Sequence, residues 1–169
     1  MKADLLLVGD DPTPRLHSAK SNGNIGRKFN LREGCFVSYY FEFDATNKIL
    51  GAHFEGRVTD HELKEYYRAA GKYLAKTAAR AAITDFSDVT SFKVSPKTIR
   101  ELAELPPAMP DPRWPRVIVA PAAHIFGIAR MFQLQGESTR PNLHVVTTLK
   151  EAWAVLGVQK VKFERVHIE

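Results

Sequence analysis

Polar side chains crowd into one short segment of this chain. Asp85, Ser87, Asp88, Thr90 and Ser91 fall inside AAITDFSDVTSFKVSP, and Ser95 stands immediately before Pro96. Carboxylates and hydroxyls at this spacing have two uses. They close Asx turns on their own backbone, or they form a recognition surface that carries a regulatory hydroxyl. A phosphate on Ser95 would sit at a helix start, where free N–H groups and the helix dipole favour anions. The simpler role of Ser95 is as the N-cap, worth about 1 kcal/mol. Bond-making chemistry asks for more. His53, His61, His124 and His144 are dispersed, with no HExxH, HxH or paired-cysteine spacing that would hold a metal. His124 is the best placed of them for ligand contact, in the first turn of a helix beside the carboxyl edge of a sheet. Cys35 is the single cysteine, with no basic partner to activate it. GxGxxG, P-loop and GxSxG patterns are absent. The residues predict a non-enzymatic protein without a cofactor or metal.

The polar segment needs a scaffold, and the flanking sequence supplies one. Ala81-Ala82-Ile83 is a short apolar run that reads as a buried strand, and Ser95-Pro96 reads as a helix start. The residues between them read as a loop. Upstream, Val37 to Phe43 and Lys48 to Phe54 are β-favouring and are joined by the turn Asp44-Ala-Thr-Asn47, a hairpin. Thr59-Asp-His-Glu62 is a capping box that opens a helix running to about Ala79. Leu63, Tyr66, Tyr67, Ala70 and Leu74 form its apolar face.

Downstream, the helix from Pro96 turns Ile99, Leu102, Ala103 and Leu105 inward and stops at Pro106-Pro107. PPAMPDPRWP has five prolines in ten residues and must be an extended surface connection. Arg116 to Ala120 (RVIVA) is a buried strand. Pro121 opens a third helix carrying Ile125, Ile128 and Phe132, with Gly136 at its C-cap. Leu143 to Thr147 is a further strand, and Thr148-Leu-Lys-Glu151 is a second capping box. Leu149, Ala152, Trp153 and Leu156 face inward from the last helix, which Gly157 ends. The tail VQKVKFERVHIE alternates weakly, as an edge strand does.

The order is β-β-α-β-α-β-α-β-α. Strands alternating with helices after a hairpin predict an α/β fold with a mixed, mainly parallel sheet. At 169 residues a single main domain is expected, over 37–169, preceded by a Gly-, Asn- and Ser-rich arm over 1–36 that reads as disordered or loosely attached. The 44% hydrophobic and 25% charged composition is that of an ordinary globular protein. No apolar run reaches the roughly 18 residues of a membrane span, no secretory signal is legible, and a cytoplasmic location is expected. The net charge of +5 divides into +2 over residues 1–36 and +3 over the remainder, with no dense basic block. That distribution argues against nucleic-acid binding.

The element order and several local stretches resemble the STAS family, the fold of anti-sigma-factor antagonists and of the cytoplasmic domains of sulphate transporters, over roughly residues 37–157. KILGAHFEGRVT resembles that family's second strand leaving through a glycine into the first helix. AAITDFSDVTSF is similar to its central strand and the Asp-apolar-Ser-x-Val turn after it. RVIVAP and LHVVTTLKEAWAVL resemble its last two strand–helix units. Antagonists that work as phosphorylation switches carry Asp-Ser-x-Gly at the start of the helix after the central strand. Here Lys93-Val94-Ser95-Pro96 stand at those positions, so the standard phosphoserine switch is not carried over. The pattern is closer to divergent STAS-like proteins grouped with lipid-binding SEC-fourteen-type domains.

The resemblance implies an interaction module in bacterial signalling or stress regulation, with an unidentified protein partner. Its contact surface would be Asp85, Ser87, Asp88, Thr90, Ser91 and Ser95, with His124. Trp114, in the proline segment, is either a partner anchor or a cover over the sheet edge. The alternative is a small-molecule or lipid-binding domain. Tyr39, Tyr40, Phe41, Phe43, Tyr66, Tyr67 and Tyr73 would then line an apolar pocket between the sheet and the first and third helices.

Overall fold

The computed structural model describes residues 38–167. The expected arm over 1–36, and Cys35, lie outside the described residues. The elements run β1 (Tyr39–Asp44), β2 (Ile49–Thr59), α1 (Asp60–Thr77), β3 (Ala81–Lys93), α2 (Pro96–Glu104), β4 (Arg116–Val119), α3 (Ala123–Gln135), β5 (Leu143–Val146), α4 (Leu149–Leu156) and β6 (Glu164–Arg165). They build one six-stranded sheet in the order β5-β4-β3-β2-β1-β6. The pairs β2–β3, β3–β4 and β4–β5 are parallel, and β1 is antiparallel to both β2 and β6. The expected mixed, mainly parallel α/β sheet is therefore the fold, and the tail provides its extra edge strand.

Strand alternation divides the core into two layers. Leu50, Ala52 and Phe54 of β2 face α1, α2 and α3, joined by Phe41, Leu63, Phe86, Ile99, Leu102 and Ile125. Ile49, Ile83, Val117 and Val119 face the other way, where Ala152, Leu149 and Trp153 of α4 cover them. Both capping boxes form as the sequence predicts. The Thr59 N–H donates to the Glu62 carboxylate, and the Thr148 hydroxyl accepts from the Glu151 N–H while Glu151 accepts from the Thr148 N–H.

Two boundaries differ from the sequence expectation. The polar stretch expected as a loop is the continuation of β3, which runs unbroken to Lys93 beside a β2 that itself continues past the expected Phe54 to Thr59. The pairing His53↔Asp85 is followed by Glu55↔Asp88, and Gly56↔Val89 by Arg57↔Ser91, so β3 holds one extra residue at each step. Each bulge shifts the side-chain alternation. As a result Phe86, Val89 and Phe92, three residues apart, all pack on the same core face. A period of three is not a strand pattern, and only the bulges make it one. The second difference is at α3, which begins at Ala123 rather than Pro121, because Ala122 is still extended at φ −77° and ψ 128°.

Candidate functional site

The three helices on one face leave an apolar cavity of about 130 Å³ against the sheet. Phe41, Ala52, Phe86, Ile118, Ile125 and Ala129 represent its walls from β1 through β4 and α3. The cavity lies between the sheet and α1, α2 and α3, where the alternative reading expected a pocket, and α2 adds Ile99 and Leu102 to the expected walls. Of the aromatic group, Phe41, Tyr66 and Tyr67 line it. Phe41 stacks on Tyr66 at 5.8 Å and on Tyr73 at 4.0 Å.

The polar members of the lining are few: Tyr66, Tyr67, Thr84, Arg116 and Arg140. The Tyr66 and Thr84 hydroxyls share a hydrogen bond of 2.7 Å. Burial pushes the Tyr66 phenol up to about 12, so it stays a neutral donor. Arg140, 3% exposed, fans its guanidinium over the end of α2. Nη1 donates to the Ala103 carbonyl and the Thr139 hydroxyl, and Nη2 to the Leu102 and Leu105 carbonyls and the Tyr67 hydroxyl. Arg116, also buried, donates to the carbonyls of Trp114, Met109 and Asp111 and so ties down the proline segment. Burial, together with the neighbouring Arg140 charge, pulls the Arg116 guanidinium below its ordinary value.

On the opposite face, beside the area α4 covers, polar side chains lie across three adjacent strands. The register places His53 of β2 next to Asp85 of β3 and Tyr40 of β1. His53 Nδ1 is 3.3 Å from Asp85 Oδ2, and Nε2 is 3.3 Å from a Glu42 oxygen, too poorly aligned for a hydrogen bond. Tyr40 stacks on the imidazole at 5.2 Å, with Arg165 over its ring at 3.8 Å, and Phe163 approaches His53 edge-on. The Asp85 hydrogen bond raises the His53 pKa, against the opposing effect of burial. Burial alone would raise Asp85, but hydrogen bonds from His53 and Ser87 hold it below its ordinary value.

The stability consequence has a definite sign. A histidine raised in the folded state contributes fully below its unfolded pKa and loses that contribution as pH climbs through the folded value. His53→Gln should therefore lower the melting temperature most near about pH 6 and least near about pH 9. Its cost at the acid end should be about 1 kcal/mol. An equal penalty at both values, read by circular dichroism, rules out the charged pair.

The structure disperses the polar residues that the sequence groups together. Asp85 is 4% exposed and inward-facing, accepting from the Ser87 N–H at 2.9 Å and the Ser87 hydroxyl at 2.6 Å, which holds the first bulge. Ser87, Asp88 and Thr90 are exposed, and Ser91 is half-buried. Ser95 is the N-cap of α2: its hydroxyl accepts from the Thr98 N–H and its own N–H donates to Asp60 at 2.7 Å. His124 is exposed in the first turn of α3, edge-on to Phe92. Trp114 is half-buried and packs against the cluster containing Phe41, Leu50 and Met109.

Sequence reasoning passed over Glu42, Arg116 and Arg140. A charge opening the otherwise apolar RVIVA was a legible sign for Arg116. The alternation in YYFEF placed Glu42 on the face of Tyr40. Nothing local marked Arg140. Among the described residues no group of three or more His, Cys, Asp or Glu side chains could hold a metal ion, and no helix is long and apolar enough to cross a membrane.

No family model matches the chain, and no curated protein matches it in sequence. Among solved structures it is similar to the phosphorylated form of the Bacillus cell fate determinant SpoIIAA. The two share 16% identity, with a TM-score of 0.41, over 69% of this chain and 96% of that one. No residue role is transferred from it.

Proposed function

We propose that this domain is a non-catalytic regulatory module that binds a small apolar molecule between its sheet and helices α1, α2 and α3. The supporting observation is the cavity itself. Its volume, about 130 Å³, is close to that of engineered apolar cavities of about 150 Å³ that stay dry and take up benzene. Its walls come from five strands and three helices, so occupancy would stiffen most of one face of the fold. A neutral aromatic probe, 2-phenylethanol, should bind, and Ala129→Leu should weaken that binding about tenfold or more by filling the space. Equal affinity of the wild type and the variant in a calorimetric titration removes the reading.

A protein partner is the second reading, supported by the shared exposure of Ser87, Asp88 and Thr90 along the outer end of β3. Ser91, Ser95 and His124 would border that surface. Asp88→Arg should then abolish capture of a stoichiometric partner by the tagged protein. Unchanged capture by the variant counts against this surface.

A further inference from the structure

The anomaly at the cavity is its charge. Arg116 and Arg140 are both buried, at 9% and 3% exposure, and are close enough for one charge to act on the other. Buried charges ordinarily have counter-ions, because desolvating an ion costs several kcal/mol. Among the described residues, no carboxylate lies within ion-pair distance of either guanidinium. Asp111, the acid nearest Arg116 in sequence, bonds it only through a backbone carbonyl and turns both carboxylate oxygens to Arg113, so its negative charge acts on Arg116 only from beyond ion-pair distance. Carbonyl dipoles hold the two arginines in place but leave two like charges side by side. The bonds Arg116 makes use one Nη1 hydrogen and both on Nη2, which leaves Nε–H and the second Nη1 hydrogen for another acceptor. Tyr67, whose hydroxyl accepts from Arg140 and donates to the Pro106 carbonyl, completes this end. The rest of the lining is overwhelmingly apolar.

We infer that the cavity takes a monocarboxylate whose apolar body is about the size of one aromatic ring, with its carboxylate at the end where Arg116, Arg140 and Tyr67 meet. This rests on the cavity being a ligand site. The carboxylate supplies the missing negative charge and accepts charge-assisted hydrogen bonds, while the ring fills the apolar volume. A space of about 130 Å³ matches one ring more closely than a long acyl chain.

The test compares head groups on one skeleton. Phenylacetate, 2-phenylethanol and acetate are titrated into the full chain by calorimetry, with amide shifts followed by NMR. Phenylacetate should bind about tenfold or more tighter than 2-phenylethanol, the effect of a charge-assisted bond, and should shift the amides of Tyr67, Arg116 and Arg140. Arg116→Met should erase that preference. Should the variant not fold, the wild-type comparison and the shift map decide. Equal or reversed affinity of acid and alcohol overturns the carboxylate assignment and leaves the apolar site standing. Acetate binding as well as phenylacetate overturns the apolar body. Shifts confined to other parts of the fold overturn the location. Binding by none of the three overturns both this inference and the cavity reading.

Discussion

Arg140→Met is expected to cost about 3 kcal/mol or more of stability, lowering the melting temperature by about 10 °C. The argument is local accounting. The wild-type guanidinium satisfies the carbonyls of Leu102, Ala103 and Leu105, which close the C-terminal turn of α2 where Pro106 ends the helix. A helix leaves its last carbonyls without intrahelical donors, and here a side chain from far along the chain donates to them. Methionine fills much of the same volume but donates nothing, so buried acceptors lose their partners together. Arg140→Lys should recover only part of the loss, since an ammonium is a point donor and cannot reproduce the planar fork. Gly136 belongs to the same arrangement. A Cβ there would lie 2.9 Å from Arg140 Nη1, so this glycine makes room for the guanidinium rather than a left-handed turn, its φ being −97°. Thermal denaturation checks the size of the effect, and hydrogen exchange should localise it to α2. A melting shift within about 1 °C would mean that water replaces the guanidinium at little cost.

What could be read from the sequence was what short-range chemistry determines. Thr59 with Glu62, Thr148 with Glu151, and Ser95 with Pro96 act within one helical turn, and each marks a helix start that the structure reproduces. The outer half of β3 was illegible for a physical reason. Two bulges convert its spacing from two to three, and its polar residues then look like a loop. Its partner, the outer half of β2, was missed with it, because neither strand is recognisable without the other's register. The candidate sites divide along the same line. A pocket lined by Phe41, Tyr66 and Tyr67 followed from apolar residues on predictable faces. Its charged end did not, because Arg116 at the start of β4 and Arg140 in the segment between α3 and β5 are far apart in sequence and are brought together only by the fold. The His53–Asp85 pair likewise exists only once β2 and β3 are aligned.

Asp44→Asn should release the C-terminal tail from the sheet. Asp44 is 1% exposed and stands at the end of β1, where the hairpin turns. Its Oδ1 accepts from the Thr46 and Asn47 N–H groups, and Oδ2 accepts from the Asn47 side-chain amide and the Lys162 N–H at 3.0 Å. One carboxylate thus serves two purposes, closing the turn and anchoring a strand that arrives 118 residues later. Asparagine keeps the first function with its single carbonyl oxygen. Its amide nitrogen then faces two donors where Oδ2 stood, so the second function becomes a repulsion. The loss should be about 2 kcal/mol. Its mark should be faster amide exchange at Lys162 and at Val166, which donates to the Phe41 carbonyl, while the β1–β2 turn stays protected. Phe163, whose ring lies 3.1 Å from where a Gly51 Cβ would stand, should leave that glycine and His53. The wild type should show the same detachment in acid. Burial would raise the Asp44 pKa, but the hydrogen bonds outweigh it and hold it below the ordinary value. The contribution is therefore present above the unfolded pKa, about 3.9, and is lost as pH falls through the lower folded value. Unchanged exchange at Lys162 in Asp44→Asn would show that β6 is held by its ladder to β1 and not by this carboxylate.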